Sequence, residues 1–211
     1  PAGAPEGQPP LRKHKQKGEA WSGRGRWGRA RAAHEHRCLG KLAVRVELPK
    51  ALRPLLLHDW RLVTLEKRLF VLPAKRPVEA ILAEYVVRQQ NCQTAFKKYP
   101  VGEAVVALQE FFDLVLSSQL LFRFEKLQHC RILLRHPQAR MSQIYGGAHL
   151  LRLFPQLGPM LACAPLGAPS LRLLLSHLQG FLQYFASDPS LLFKAATDYQ
   201  VASAEYQQQA G

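Results

Sequence analysis

Apolar residues recur with the period of an α-helix through most of this sequence, and that periodicity restricts the chain to a mainly helical fold. The longest run lies between Ala168 and Ser187 and ends before Pro189, which restricts the conformation of the residue ahead of it. One face of this predicted helix carries Leu171, Leu174, Leu175, Leu178, Leu182 and Phe185. An apolar helix face has to pack against other elements, so we expect a domain built from several helices.

The same spacing predicts helices further upstream. One face of the first is expected to carry Leu52, Leu56, Trp60 and Val63. A second helix, which Pro77 opens, should bury Val78, Ile81, Leu82 and Tyr85. A third, from Val101 to about Ser117, is apolar over most of its circumference, so we expect it to be central. Helical stretches over 121–134 and 142–162 follow.

Two short segments interrupt the helical pattern. Residues 42–48, LAVRVEL, alternate apolar and charged positions, which is typical of a half-buried strand or an extended segment. Residues 68–77, RLFVLPAKRP, end at prolines, which favours a short strand followed by a turn. The predicted fold class is therefore mainly α, with a small extended or hairpin element near its start.

Residues 1–41 differ in composition from the rest of the chain. They are rich in Gly, Pro, Ala and Arg and lack aliphatic periodicity, so they cannot bury enough surface to offset the entropy of ordering. We predict a disordered basic arm over 1–41 and a folded domain over 42–211. Residues 1–45 hold 11 of the 29 Lys and Arg residues but only 3 of the 15 Asp and Glu residues. With Trp21 and Trp27 among these cations, residues 11–41 suit either weak, salt-sensitive nucleic-acid contact or a flexible solubilising tail.

Few residues suggest catalysis or metal binding. The HEHRC pattern at residues 34–38 lacks a second pair of ligands, so a solvated tail explains it better than a zinc site. The four cysteines are scattered without paired spacing, and we interpret them as reduced, small apolar fillers. No serine or cysteine motif of a hydrolase occurs. We therefore predict neither catalysis, nor a cofactor, nor a bound metal ion.

Gly146 and Gly147 stand ahead of a predicted helix, where free backbone N–H groups can bind phosphate. They belong to no established phosphate-binding motif, so this signal is weak. His149 follows them in the first turns of the helix, and we assign it a structural hydrogen bond. No apolar run reaches the length of about 18 residues that a membrane span needs, so we expect no membrane contact.

Leu55, Leu56 and Leu57 form the most informative apolar run. Successive residues are about 100° apart around a helix, so the three cover roughly 200° of its surface. A helix on the outside of a domain cannot bury all three against its own core. Trp60 lies one turn beyond Leu56 and is the type of residue that anchors partner proteins. The run indicates either an exposed binding patch or a helix packed between two neighbours.

Four sequence blocks resemble the MRG (mortality-factor-like) family in order and spacing. They are LPKALRPLLLHDWRLVTLEKRLFVLPAK, SSQLLFRFE, MSQIYGGAHLLRLF and DYQVASAEY, and the resemblance runs from about Leu42 to Tyr206. It implies a mostly α-helical domain that belongs to nuclear histone acetyltransferase and deacetylase assemblies. It also implies a hydrophobic groove that binds short partner segments, often of an FxLP type.

The resemblance also implies which residues form that groove. The corresponding positions are Leu48, Leu56, Leu57, Trp60, Phe122, Pro155 and Gln156. Phe122 stands where the family commonly has tyrosine, Pro155 where it has an aliphatic residue, and Gln156 where it has a basic one. Proline inside a helix removes a backbone donor, so we expect a kink over residues 151–155 or an altered groove wall. Long family members carry a chromodomain that reads histone methylation. The first 40 residues here are a basic, Gly-rich segment that cannot form one, so we do not expect this chain to read histone methylation.

Two other functions remain open from the sequence. A basic nucleic-acid or nucleosome-binding protein would act through the arm and use the helical domain as a scaffold. A diverged duplicate would keep the fold but lose its partners, and the changes at Phe122, Pro155 and Gln156 make this reading credible. The peptide-binding adaptor is the preferred interpretation.

Overall fold

The computed structural model describes residues 46–92, 101–163 and 168–210. The α-helices in these ranges are α1 (Arg53–Thr64), α2 (Val78–Cys92), α3 (Val101–Val115), α4 (Lys126–Arg135), α5 (Gly147–Cys163), α6 (Ala168–Ser187), α7 (Ala195–Asp198) and α8 (Ala204–Ala210). The strands are β1 (Arg68–Phe70) and β2 (Tyr199–Val201). A π-helical turn spans Leu116–Leu120, and 3-10 turns span Arg123–Glu125, Met141–Gln143 and Pro189–Leu191. The mainly helical fold predicted from the periodicity is confirmed.

An aromatic cluster at the centre of the domain joins three helices. Tyr85 of α2 and Phe154 of α5 both contact Phe181 of α6, with ring centroids 4.9 and 5.6 Å from it. Phe185, one turn along α6, packs edge-on against Phe181 at 4.3 Å. All four rings are buried. Edge-to-face packing of aromatic rings adds to the stabilisation from burial, so this cluster fixes α2, α5 and α6 relative to one another.

The two short strands join distant parts of the chain. β1 pairs antiparallel with β2, and Phe70 stands opposite Tyr199 in the register. The strand pair confirms the small extended element predicted over residues 68–77. Residues 46–49 have no regular secondary structure, and this agrees with the extended-segment alternative for the end of the LAVRVEL stretch.

Gly146 and Gly147 allow the start of α5 to approach its neighbours closely. A Cβ atom on Gly147 would lie 2.2 Å from the carbonyl oxygen of Leu192, and one on Gly146 would lie 2.9 Å from the ring of Phe70. No side chain fits at those separations. Close packing therefore explains the glycine pair, and the weak phosphate-binding interpretation is not needed.

The predicted apolar face of α2 is buried, whereas only part of the face predicted on α1 is. Val78, Ile81, Leu82 and Tyr85 are all buried, as the spacing indicated. Leu52, directly before α1, and Val63 are fully buried, but Trp60 is 40% exposed and the carboxylate residue Asp59 is buried. Apolar spacing did not show this division, because the buried side of the helix includes a charged residue.

α3 is less central than its composition suggested. Leu108, Phe112 and Val115 are buried, but Leu114 is 74% exposed, because the outer side of the helix faces solvent. No single helix in the described ranges is both long and apolar enough to cross a membrane. Two consecutive helical segments, Val101–Leu120 and Arg123–Arg135, are together long and apolar enough to do so, but they are bent by 107° relative to each other.

Other predictions meet the structure only in part. Cys130 is a free cysteine, but it is exposed on α4, so the prediction of a buried filler is wrong there. The helix predicted over 142–162 begins at Gly147, after a 3-10 turn. The arm over 1–41 and the HEHRC pattern lie outside the described residues, as do residues 93–100.

Candidate functional site

A buried arginine connects α1 to α5 below the predicted groove. Arg152 of α5 donates from Nε and Nη2 to the two carboxylate oxygens of Asp59, at 2.6 and 2.8 Å. Nη1 and Nη2 also donate to Glu125, at 2.6 and 3.1 Å, and Nη1 donates to the carbonyl oxygen of Leu120 at 3.0 Å. A guanidinium has five N–H groups, so these five bonds can satisfy all of them. The protein itself therefore uses the full donor capacity of Arg152.

The two carboxylates of this network have further partners. The hydroxyl of Tyr199, on β2, donates to Asp59 Oδ1 at 2.6 Å. The backbone N–H of Phe122 donates to Glu125 Oε2 at 2.8 Å, and Nε2 of His149 lies 3.0 Å from Glu125 Oε1. Buried charges are tolerated when they are paired and hydrogen-bonded, which is the case here. The network ties together α1, α5, β2 and the turn ahead of α4.

The protonation states follow from burial and from the neighbouring charges. Burial by itself raises the pKa of Glu125, but Arg152 and His149 together outweigh it through charge and hydrogen bonds and lower that pKa to about 2. Burial lowers the pKa of His149, and the Arg152 charge lowers it further, so the imidazole is neutral and Nε2–H donates to Glu125. Burial and the Asp59 carboxylate raise the pKa of Tyr199 well above its usual value. The tyrosine therefore keeps its proton and remains a donor.

His149 makes the structural hydrogen bond that the sequence predicted, to Glu125. His129, also buried, has its Nδ1 atom 3.0 Å from the hydroxyl of Tyr145. In the described part of the chain, no group of three His, Cys, Asp or Glu side chains is arranged to hold a metal ion.

Phe122 lies directly on this network. Its ring centroid is 4.0 Å from the guanidinium carbon of Arg152, a cation–π contact, and its backbone N–H is bound to Glu125. The ring is only half-buried. Because ring and backbone are both held by buried charged groups, Phe122 presents a fixed aromatic surface at the edge of the core.

Three predicted groove residues share the outer side of α1. Leu57 is 64% exposed, Trp60 is 40% exposed, and Leu56 is half-buried. Trp60 lies three residues after Leu57 and four after Leu56, so the three side chains are neighbours on the helix surface. Of the two alternatives for the leucine run, the exposure of Leu57 agrees with an exposed patch rather than a helix packed between two neighbours.

The two predicted groove residues on α5 are Pro155 and Gln156. Both are exposed, and they follow Arg152 by three and four residues, so they lie about one helical turn beyond it. α5 continues through Pro155 as far as Cys163, so the proline does not end the helix. The Asp59–Arg152 pair holds α1 against α5, which places Pro155 and Gln156 on the neighbouring helix to Trp60.

Leu48 precedes α1 and is half-buried. Its carbonyl oxygen accepts a bond from Nε of Arg53 at 3.3 Å. The seven predicted positions thus lie on the segment before α1, on α1, on α5 and on the turn before α4. Phe122 is the member of this set that the buried network holds directly.

Sequence reasoning missed the residues that hold this surface in place. Asp59, Glu125 and Arg152 are each at most 6% exposed. Asp59 within LLLHDWRLV and Arg152 within HLLRLF interrupt apolar stretches, and such charges at inward helical positions indicate buried ion pairs. That signal was present in the sequence, but only the fold shows which charges pair.

The comparisons with known proteins agree over most of the chain. The MRG family model matches residues 28–201. Mortality factor 4-like protein 2 of Homo sapiens and of Mus musculus are each 49% identical over 175 residues, which cover 81% of this chain and 59% of each relative. Mortality factor 4-like protein 1 of Pongo abelii is 44% identical over 178 residues, which cover 84% of this chain and 55% of the relative. This chain spans less than two thirds of the length of these relatives. The extent of the match and the level of identity show that the chain belongs to the MRG family.

Proposed function

We propose that this chain is a non-catalytic adaptor domain that binds short hydrophobic segments of partner proteins, of the FxLP type, in nuclear histone acetyltransferase and deacetylase assemblies. The observation that carries the proposal is the exposed apolar surface of Leu57 and Trp60 on α1, with Leu56 half-buried next to them; Phe122, held by the Asp59–Arg152 network, is also half-buried. Membership of the MRG family supports the proposed chromatin and transcription setting.

The physical basis is the exposure of large apolar side chains that the domain does not bury by itself. Covering one such side chain, or burying a Phe or Leu anchor against it, contributes about 1.5–3 kcal/mol. Association costs several kcal/mol, so a single anchor gives weak binding. Two anchors on one short segment share that cost, which is why a motif with two apolar residues suits this surface.

The rigid position of Phe122 supports the same function. Its ring is fixed by Arg152 and its backbone by Glu125, so little conformational entropy is lost at this residue when a partner binds. Pro155 and Gln156 are exposed on α5, where they form the wall that departs most from the family pattern. We expect these two residues to lower the affinity for partner segments or to reduce the range of partners that bind. The anchor surface on α1 does not depend on them.

A titration of a labelled FxLP-containing peptide against the purified domain tests the proposal. Wild type should bind, and Trp60→Ala should lower the affinity at least tenfold, since hot-spot aromatics contribute about 2 kcal/mol or more. Leu134→Ala is a matched control, because Leu134 is an apolar residue, 83% exposed, on α4. Thermal unfolding of each variant checks that the fold is retained. No binding by wild type at high micromolar peptide would contradict the adaptor function and favour a diverged duplicate.

A second candidate function belongs to the basic arm. Residues 11–41 combine a high density of Lys and Arg with two tryptophans, and we propose weak nucleic-acid contact through them. This function is independent of the α1 surface, so deletion of the arm separates the two.

A further inference from the structure

A cleft adjoins the proposed peptide-binding surface at Phe122. It has a volume of about 350 Å³, and it lies where the end of α1, the start of β1 and the end of α8 meet. Its lining residues are Thr64, Lys67, Phe122, Arg123, Phe124, Gln207 and Ala210. Phe122 belongs both to this cleft and to the proposed surface, so a bound segment can reach one from the other without crossing the core.

The charge of the cleft is one-sided. Lys67 and Arg123 line it, and none of its described lining residues is acidic. The ammonium group of Lys67 lies 5.1 Å from the ring centroid of Phe124, and none of the salt bridges among the described residues involves Lys67. An aromatic floor with a cation above it accommodates a side chain that has an apolar stem and a negative end.

The backbone of Lys67 is held in an uncommon conformation. Its φ of 55° lies in the left-handed region, which residues other than glycine seldom adopt. Its carbonyl oxygen accepts the N–H of Ala202 at 3.0 Å, and the next residue, Arg68, pairs with Val201. The strand pairing therefore fixes the backbone from which this lining side chain extends.

The distance from Trp60 to the cleft predicts how many residues separate the two side chains of a partner that would occupy them. Thr64, in the cleft, lies one helical turn beyond Trp60 on the same side of α1, which corresponds to about 6 Å. An extended peptide advances about 3.3 Å per residue, so two residues cover this distance. Side chains two residues apart in an extended chain also point to the same face. An extended segment that is anchored at Trp60 and runs along α1 thus places the side chain two residues further on at the cleft.

We propose that the cleft between Lys67 and Phe122 binds an acidic side chain of the partner segment, two residues away from an apolar anchor. The proposal rests on the peptide-binding function proposed above and narrows its partner class to extended segments with an apolar anchor and an acidic flank. The negative charge comes from Asp or Glu of the partner. The cation that receives it is Lys67, with Arg123 adding to the positive potential.

The test uses the intact chain and a set of labelled peptides that contain the FxLP motif. The peptides carry Glu, Gln or Lys either two residues before the Phe or two residues after the Leu. At low salt, Glu at one of these positions should bind about two- to fivefold more tightly than Gln, as expected for a solvent-exposed ion pair. This advantage should shrink at high salt, because exposed charges are screened.

Variants of Lys67 then assign the effect to the cleft. Lys67→Gln should remove the preference for Glu, and Lys67→Glu should reverse it in favour of the Lys peptide. Lys75→Gln is the matched control, because it removes one exposed positive charge at a different cleft and should leave the preference intact.

Each outcome decides the proposal. A preference for Glu that depends on Lys67 and not on Lys75 supports it. Equal binding of the Glu and Gln peptides at both positions overturns it, and so does a preference that survives in Lys67→Gln. In those two cases the parent motif still binds, so the adaptor function stands. If no peptide binds wild type, both the adaptor function and this inference fail.

Discussion

The guanidinium carbon of Arg152 lies 4.0 Å from the centroid of the Phe122 ring, so a buried cation supports an aromatic residue of the proposed binding surface. The same guanidinium is bound by Asp59 of α1 and by Glu125, which also accepts the backbone N–H of Phe122. The buried network and the outer surface are therefore parts of one arrangement. Changes within the network are expected to alter both stability and binding.

Removal of the buried cation should destabilise the domain strongly. Arg152→Met leaves Asp59 and Glu125 buried without their partner, and breaking a buried ion pair in this way costs about 3–5 kcal/mol. Urea unfolding at neutral pH measures the change. Arg135→Met, at an exposed position of α4, should change the free energy of unfolding by less than about 0.5 kcal/mol. Equal effects of the two substitutions would show that the network contributes nothing.

The stability should depend on acid through Glu125. The pKa of this carboxyl is lowered from 4.5 to about 2 in the folded protein. The unfolded chain then takes up the proton first, so the contribution is complete above about pH 4.5 and is lost as the pH falls towards 2. It amounts to about 3 kcal/mol at most. Glu125→Gln should give a shallower fall in unfolding free energy between pH 4.5 and 2; identical slopes would exclude this role for the carboxylate.

Phe122→Tyr should improve peptide binding without loss of stability. The larger side chain keeps the aromatic ring over Arg152 and adds the hydroxyl that the family commonly has at this position. One additional hydrogen bond contributes about 0.5–1.5 kcal/mol, so the affinity for an FxLP peptide should rise about two- to tenfold. The same titration applied to Phe122→Leu, which removes the ring, should show a loss. A tyrosine variant that binds no better than wild type would mean that the hydroxyl has no partner in the complex.

Pro155→Val tests whether Pro155 forms part of the proposed peptide-binding surface. The substitution restores a backbone N–H within α5, and the helix should be stabilised by about 1–3 kcal/mol, since proline is the least favourable residue inside a helix. Pro159→Val provides the comparison, because Pro159 is also an exposed proline within α5. Both variants should raise the melting temperature, but only Pro155→Val should change peptide affinity. If Pro159→Val changed the peptide affinity as much as Pro155→Val, the effect would not be specific to Pro155, and Pro155 would not be assigned to the binding surface.

Deletion of residues 1–41 tests the basic arm. The deletion should remove any binding to a short double-stranded DNA at low salt, because it removes the region of highest positive charge density. Affinity for an FxLP peptide should stay within about twofold of wild type, since the proposed surface lies on α1, α5 and the turn before α4. DNA binding that survives the deletion would assign the contact to the helical domain.

The sequence alone determined the helical architecture, because helical periodicity is a local property that each segment carries by itself. The buried face of α2, with Val78, Ile81, Leu82 and Tyr85, followed from spacing, and the end of α6 before Pro189 followed from proline stereochemistry. The leucine run on α1 likewise indicated that this helix could not bury all of its apolar surface.

Only the tertiary structure decided which side of α1 faces inward. Apolar spacing put Trp60 on the same face as Leu52 and Val63, whereas the fold buries Asp59 and leaves Trp60 partly exposed. A buried carboxylate is stable only with a partner, and that partner, Arg152, lies 93 residues further along the chain. Glu125 and Tyr199 complete the same network from two other segments. The free energy of burying Asp59 depends on contacts distant in sequence, so local periodicity could not reveal it.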